Sequence, residues 1–236
     1  MKVFIVHAHH EPKSFNGALT EAAVAALTDA GHEVRVSDLY AMDFDPVSDR
    51  RNFTTVGEAD YLKQQVEESH ASKNDGFAAD IEAELEKLDW CDVLIFQFPI
   101  WWFGLPAILK GWVDRVFAME RIYGGGRWFD GGYFKGRRAM LSLTTGGGPG
   151  AFSENGIVGD IHAHLHPINY GILRFVGFDV LPPFIAWGPA RASDERRRAN
   201  IEEYVARVLS IPETEPIAYP SLTDYDPKTL RLKNGT

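Results

Sequence analysis

From Val93 to Phe98 the chain is almost continuously apolar, then breaks at Pro99 into Ile-Trp-Trp-Phe-Gly and resumes at Leu105 as a helical stripe. An unbroken apolar run is what a parallel strand needs when both its faces are covered, so it predicts a central strand. Pro99 removes a backbone donor and argues against extending the ladder, and Pro106 suits the first turn of a helix. The stripe Leu105, Leu109, Trp112, Val113 and Val116 gives that helix one face for the sheet. Open α/β sheets take ligands at the carboxyl edge of their strands, so a planar aromatic group would fit between these rings. On sequence alone, Trp101, Trp102 and Phe103 serve equally as core or as a subunit interface.

The same alternation runs through the chain. Val3 to Val6 predicts a first strand. Ser14 to Ala30 predicts a helix with Leu19, Ala23 and Leu27 inward and Gly31 as its terminator. Glu33 to Val36 predicts a second strand, followed by the irregular DLYAMDFDP. Residues 48–80 are polar with weak periodicity and read as a surface excursion leading to a helix over Ile81 to Leu88. Further on, Ala139 to Leu143 and Val180 to Trp187 predict the fourth and fifth strands. Helices are expected over Gly159 to Phe175 and Ser193 to Leu209. The expected fold is α/β: a doubly wound five-stranded parallel sheet with helices on both faces. Residues 1–210 form one domain, and 211–236, rich in proline, a tail packing on the core or on a partner subunit.

Composition narrows the function. A chain of 236 residues, 45% hydrophobic, can bury one large core. Its net charge of -9 supplies no basic stripe, which sets nucleic acid aside as a partner. Gln97, Pro99, Gly104 and Pro106 interrupt the longest apolar run, so no membrane span is expected. The amino terminus lacks a signal-peptide pattern and Cys91 has no internal partner, which points to the cytoplasm. His7 with His9 and His162 with His166 have pairwise ligand spacing but no Cys or carboxylate completing a set, so no metal is assigned.

Three strand-end loops are expected to meet at one edge: His7 to Asn16, Pro99 to Phe103, and Thr144 to Gly150. Ser14 and Asn16 open a helix, where free amides favour an anion, although Ser14 as a simple cap is the commoner arrangement. The glycine-rich Thr144–Gly150 loop lets backbone amides approach a ring edge, or is a plain flexible turn. Neither a G-x-G-x-x-G nor a Walker-type loop follows the first strand, which favours a flavin over a dinucleotide or nucleoside triphosphate site.

SFN at 14–16, DLYAMDFDP at 38–46, FQFPIWWFGLPAILKGWVDRVF at 96–117, LTTGGG at 143–148 and GILRFVGFDVL at 171–181 together resemble the NAD(P)H:quinone oxidoreductase (DT-diaphorase) family. The resemblance implies a flavodoxin-like fold, a homodimer with sites at the subunit interface, bound FAD, and two-electron reduction of quinones or similar flat acceptors by NAD(P)H through ping-pong hydride transfer. It assigns His9, Ser14, Phe15, Asn16 and Ala18 to the cofactor's phosphates and ribityl chain. Pro99, Ile100, Trp101, Trp102 and Phe103 would line the isoalloxazine, and Thr144, Thr145, Gly146 and Gly147 its polar edge. Substrate would stack against Trp102 and Phe103, with Tyr123 and Phe175 from the other subunit. Phe152 and Val158 stand where the family has a Tyr and a His that stabilise charge on the reduced flavin. Phe152 then becomes part of the substrate wall, and the amides of Gly146 and Gly147 are left to do the stabilising. Gly125 replaces an aromatic, which implies a roomier pocket. The chain ends before the family's carboxyl extension, which leaves FMN open beside FAD, with Arg196 or Arg197 at the adenine end. A regulatory subunit of a potassium efflux system and a flavodoxin-type electron carrier are the alternative functions.

Overall fold

The computed structural model describes residues 1–233; the last three residues of the tail, 234–236, lie outside the described residues. In chain order the principal elements are β1 (Lys2–His7), α1 (Phe15–Asp29), β2 (Glu33–Asp38), α2 (Gln64–Asn74), α3 (Ala79–Trp90), β3 (Val93–Pro99), α4 (Ala107–Val116), β4 (Arg138–Thr144), α5 (Ile161–Ile168), β5 (Asp179–Val180), β6 (Phe184–Ala186) and α6 (Asp194–Leu209). The strands pair in parallel in the order β2-β1-β3-β4-β5, with β6 also on β4. All of β3 is buried at the centre, as its apolar run requires.

Side chains alternate across the sheet. Val3 and Ile5 of β1 pack with Leu19, Leu27 and Tyr204 of α1 and α6, whereas Phe4 and Val6 face Leu85, Leu109 and Trp112 of α3 and α4. Helices therefore cover both faces. At the carboxyl edge Pro99 stands opposite Thr144 and His7 opposite Gln97, so the loops leaving β1, β3 and β4 start level with one another.

Three elements differ from the sequence expectation. The polar stretch 48–80 contains α2, whose inward side carries Glu67, Glu68 and Ala71, so the hydrophobic period is hidden because two of the buried side chains are acids. Buried Arg115 ties this excursion to the core through Asp80 at 2.7 Å, Asn52 at 2.8 Å and the Asp45 carbonyl at 2.8 Å. The helix expected over Gly159 to Phe175 begins at Ile161 and turns π-helical over Asn169–Arg174. Pro167 cannot donate an N–H inside the helix, and the ladder resumes with wider spacing, Phe175 N–H bonding the Tyr170 carbonyl at 3.1 Å. The fifth strand is split into β5 and β6 by Pro182 and Pro183, which cannot donate to β4.

The tail packs on its own core: Ile217 N–H bonds the Val180 carbonyl at 2.8 Å, and Asp130 accepts from Leu222 N–H at 2.6 Å and Ser221 O–H at 2.9 Å. No helix among the described residues is long and apolar enough to cross a membrane.

Candidate functional site

The site is centred on the β1/β3 edge, where the strand order reverses and the two outgoing loops diverge. Between them lies a cavity of about 580 Å³. His9, Ser14, Phe15, Asn16 and Ala18 reach it from the β1–α1 connection, Pro99, Ile100 and Trp101 from the end of β3, and Thr144, Thr145 and Gly146 from the end of β4. The three loops expected to converge do so.

A buried relay fixes their spacing. Gln97 Nε2 donates to Asn16 Oδ1 at 2.9 Å, and Asn16 Nδ2 donates to Thr144 Oγ1 at 3.0 Å. Ile100 N–H bonds the Thr144 carbonyl at 2.9 Å, which holds the end of β3 against the end of β4. Gly17 seats α1 against the loop before it: an added Cβ would lie 2.1 Å from the Pro12 carbonyl oxygen.

The donors in the cavity are backbone amides and cations. Ser14 caps α1 by accepting Gly17 N–H at 3.1 Å, the local role open to it, while Phe15 and Asn16, as the first helical residues, have no acceptor within the helix. Gly146 and Gly147 N–H have no acceptor among the described residues, and at Gly146 an added Cβ would meet nothing within 4 Å. Lys13 and Arg197 are the cationic members of the lining, and no carboxylate lines it. His9 Nδ1 accepts Glu11 N–H at 3.0 Å, so its neutral ring carries hydrogen on Nε2. Burial and the neighbouring His10 hold its pKa below the ordinary histidine value. The cavity therefore combines apolar walls with cationic side chains and free N–H groups.

Other expected site residues lie elsewhere. Trp102 and Phe103 form the tip of a tight turn closed by Trp101 and Gly104, whose backbones bond at 3.0 and 3.2 Å. Both occupy the left-handed region, at φ 49° and 62°, where bulky side chains are rare. Trp102 is 96% exposed, and Phe103 stacks on His164, centroids 5.0 Å apart. Gly147 stands just outside the lining, beside Phe152. Phe152 is buried against Trp187 rather than facing the cavity. Tyr123 and Phe175 line a second cavity, with rings 5.9 Å apart, and Gly125 is exposed next to Tyr123. Arg197 reaches the first cavity while bonding the Ala192 carbonyl at 2.6 Å, whereas Arg196 pairs with Glu203 at 2.9 Å. Lys13, Pro189 and Ala190 were not anticipated; Lys13 directly precedes the α1 cap, a cue that sequence reading could have used.

The histidine pairs hold no ion-binding geometry: His7 bonds Thr20 Oγ1 at 2.8 Å, His166 stacks on Tyr170, and no group of three or more potential metal ligands occurs among the described residues. Cys91 is buried, its thiol pushed up to about 12 by desolvation, which leaves it inert.

Comparison with known proteins agrees with this edge geometry. A family model described as flavodoxin-like fold matches residues 1–210. The chain is 41% identical over 217 residues to a rat (Rattus norvegicus) ribosyldihydronicotinamide dehydrogenase [quinone], covering 92% of this chain and 94% of that one. It is 40% identical over 226 residues to rat NAD(P)H dehydrogenase [quinone] 1, covering 95% and 82% respectively. A crystal structure from Klebsiella pneumoniae, described as a candidate quinone reductase, superposes with a TM-score of 0.93 at 38% identity, over 99% of this chain and 94% of that one. The chain belongs to the flavodoxin-like NAD(P)H:quinone oxidoreductase family, a family of oxidoreductase enzymes.

Proposed function

We propose that the protein is a flavin-dependent NAD(P)H oxidoreductase that reduces quinones or similar flat acceptors by two electrons in a ping-pong cycle. The observation that carries this reading is the cavity at the strand-order reversal, walled by Trp101, Pro99 and Ile100 and lined by Lys13 and by Arg197, which also pairs with Asp194 on its own helix, with no carboxylate in the lining. The residues present fit such a group. Exposed glycine backbone at Gly146 leaves room for a ring edge, and the first amides of α1 with Lys13 suit a phosphate. Two cations from different elements suit a diphosphate better than one phosphate, which favours FAD over FMN.

When bound, the flavin supplies the hydride chemistry. Trp101, Pro99 and Ile100 would exclude water from its face, and Gly146 and Gly147 would direct N–H groups at its polar edge. His9, neutral, would donate from Nε2 to a phosphate oxygen without adding charge. Trp102 and Phe103, held out on their turn, would cover the acceptor. In a homodimer, Tyr123 and Phe175 would close the slot of the partner; the exposed Trp102 indole is the kind of surface such a contact buries. In this reading residues 1–210 hold the flavin and 211–236 brace the core, and the inert Cys91 thiol suits the cytoplasm.

The test is direct. The protein should purify yellow, release FAD on denaturation by mass, bleach anaerobically with NADH or NADPH, and regain colour on adding a quinone. A colourless protein that takes up neither FAD nor FMN, or a bleached one that does not return its electrons to any quinone, overturns the proposal. Release of FMN would correct the cofactor alone.

A further inference from the structure

A second cavity, of about 340 Å³, opens between α2, the end of α4 and the π turn. That is near the small end of ligand sites, which run from ~300 to ~1,000 Å³. Phe117, Tyr123 and Phe175 give it aromatic walls, and its charge is the reverse of the first cavity: no Lys, Arg or His lines it. Glu68, only 3% exposed, is among the residues that line it. Its Oε2 accepts Met119 N–H at 2.7 Å and its Oε1 accepts Gln64 Nε2 at 2.9 Å. Both donors are neutral, and Glu68 has no ion pair among the described residues. The other acid of the lining, Asp114, is already paired with Lys110 at 2.6 Å.

A buried carboxylate without a counter-ion is expensive, and this one retains acceptor capacity beyond its two hydrogen bonds. Burial duly pushes it above the usual carboxylate range. Buried Glu67 also accepts only neutral donors, Gly57 and Glu58 N–H, but it does not line the cavity. Buried Glu84 has Lys87 at 2.6 Å as well as Trp112 Nε1 at 2.8 Å, and needs nothing from outside. Glu68 lines a ligand-sized space and has no counter-ion among the described residues.

We propose that this cavity binds a flat aromatic ligand carrying a positive charge or a strong N–H donor, with Glu68 as its counter-ion, and that it rejects anionic rings. This deepens the oxidoreductase reading, on which it rests for the use made of the ligand, by fixing the charge of the acceptor. Its Tyr123 and Phe175 are the residues that, in the homodimer proposed above, close the partner's slot.

Three probes of one shape separate charge from ring stacking: naphthalene-2-carboxamidine, 2-naphthamide and 2-naphthoate, titrated by calorimetry into the purified protein with its cofactor. The amidine should bind about tenfold more tightly than the amide, as a charge-assisted hydrogen bond implies, and the naphthoate should not bind. Glu68→Gln should bring the amidine to the affinity of the amide. Equal affinity for amidine and amide in the unaltered protein overturns the proposal without recourse to any variant, as does an amidine preference that survives Glu68→Gln. Charge-selective binding in a protein that reduces no quinone supports the proposal and sinks the oxidoreductase reading. Quinone turnover indifferent to acceptor charge, with no amidine preference, does the opposite.

Discussion

Asn16 Nδ2 donates to Thr144 Oγ1 at 3.0 Å across 128 residues of sequence, and through that bond the start of α1 is fixed to the end of β4. Because Asn16 also accepts from Gln97, one buried carboxamide sets the positions of all three loops of the cofactor cavity.

Replacing Asn16 with Leu should therefore cost about 1–3 kcal/mol, the penalty for leaving buried partners unpaired. At roughly 2–4 °C per kcal/mol for a chain of this size, calorimetry should find a melting temperature lower by several degrees. Flavin should also be lost more readily on gel filtration. A variant as stable and as yellow as the original would show that the relay does not position the loops.

Trp102 presents the opposite case: a bulky residue at φ 49° with almost all its surface in solvent gives the fold little in return for its strain. Trp102→Gly should relieve a strained backbone while adding unfolded-state freedom, two effects of about 1 kcal/mol that nearly cancel. The melting temperature should stay within ~3 °C. Quinone kcat/KM should fall about tenfold or more, from loss of an aromatic wall. If stability collapses instead, the indole is structural.

Glu68 gives a pH signature with a definite sign. Its folded-state pKa is raised by burial, so the folded protein holds that proton more tightly than the unfolded chain does. The resulting stabilisation is fully present below the unfolded value and is lost as pH rises through the folded one. The ionisable groups about it are Tyr123, Asp114 with its partner Lys110, and Glu67, whose carboxylate is turned to Gly57 and Glu58 N–H. Glu68→Gln, which keeps an acceptor for Met119, should raise the melting temperature relative to the unaltered protein more at pH 8 than at pH 4. An equal difference at both would show that Glu68 does not titrate with folding.

Lys13, just before α1, and Arg197, on α6, enter the cofactor cavity from the same face of the sheet; no carboxylate is in the lining, although Arg197 also pairs with Asp194. Removing both as Ala should weaken flavin binding about a hundredfold or more, at ~1.5–3 kcal/mol per lost charged hydrogen bond. FAD should suffer more than FMN if a diphosphate lies between them. Fluorescence titration of the flavin-free protein with each cofactor measures this, and equal losses for the two would assign both cations to a single phosphate.

Much of this molecule was legible in its residues. Continuous apolar runs mark strands covered on both faces, and Ser14, Gly31 and Ser193 mark helix ends because their backbone and side-chain chemistry is local. The long blocks 96–117 and 143–148 each had a bland alternative, and disclosed the cavity edge only because a doubly wound sheet brings them to the same side. Hydrophobic period failed where burial is polar: α2 hides Glu67 and Glu68 on its inner side, and the sequence there reads as surface. It failed again at Pro182 and Pro183, where an apolar run could not declare that its ladder would break in two.

By itself, then, the sequence determined most of the strands and helices, α2 and the break between β5 and β6 excepted, the edge at which the loops would gather, and the family. The elements and their edge follow from local backbone preference and side-chain period, which each segment carries with it, and the family from the resemblance of the motif blocks. Only tertiary structure decided that Asn16 would bridge Gln97 and Thr144, that Trp102 would stand in solvent, and that Glu68 would be enclosed without a counter-ion. Each of these depends on groups distant in sequence meeting in space, and the energy of a buried polar group is set by its neighbours rather than by its own identity.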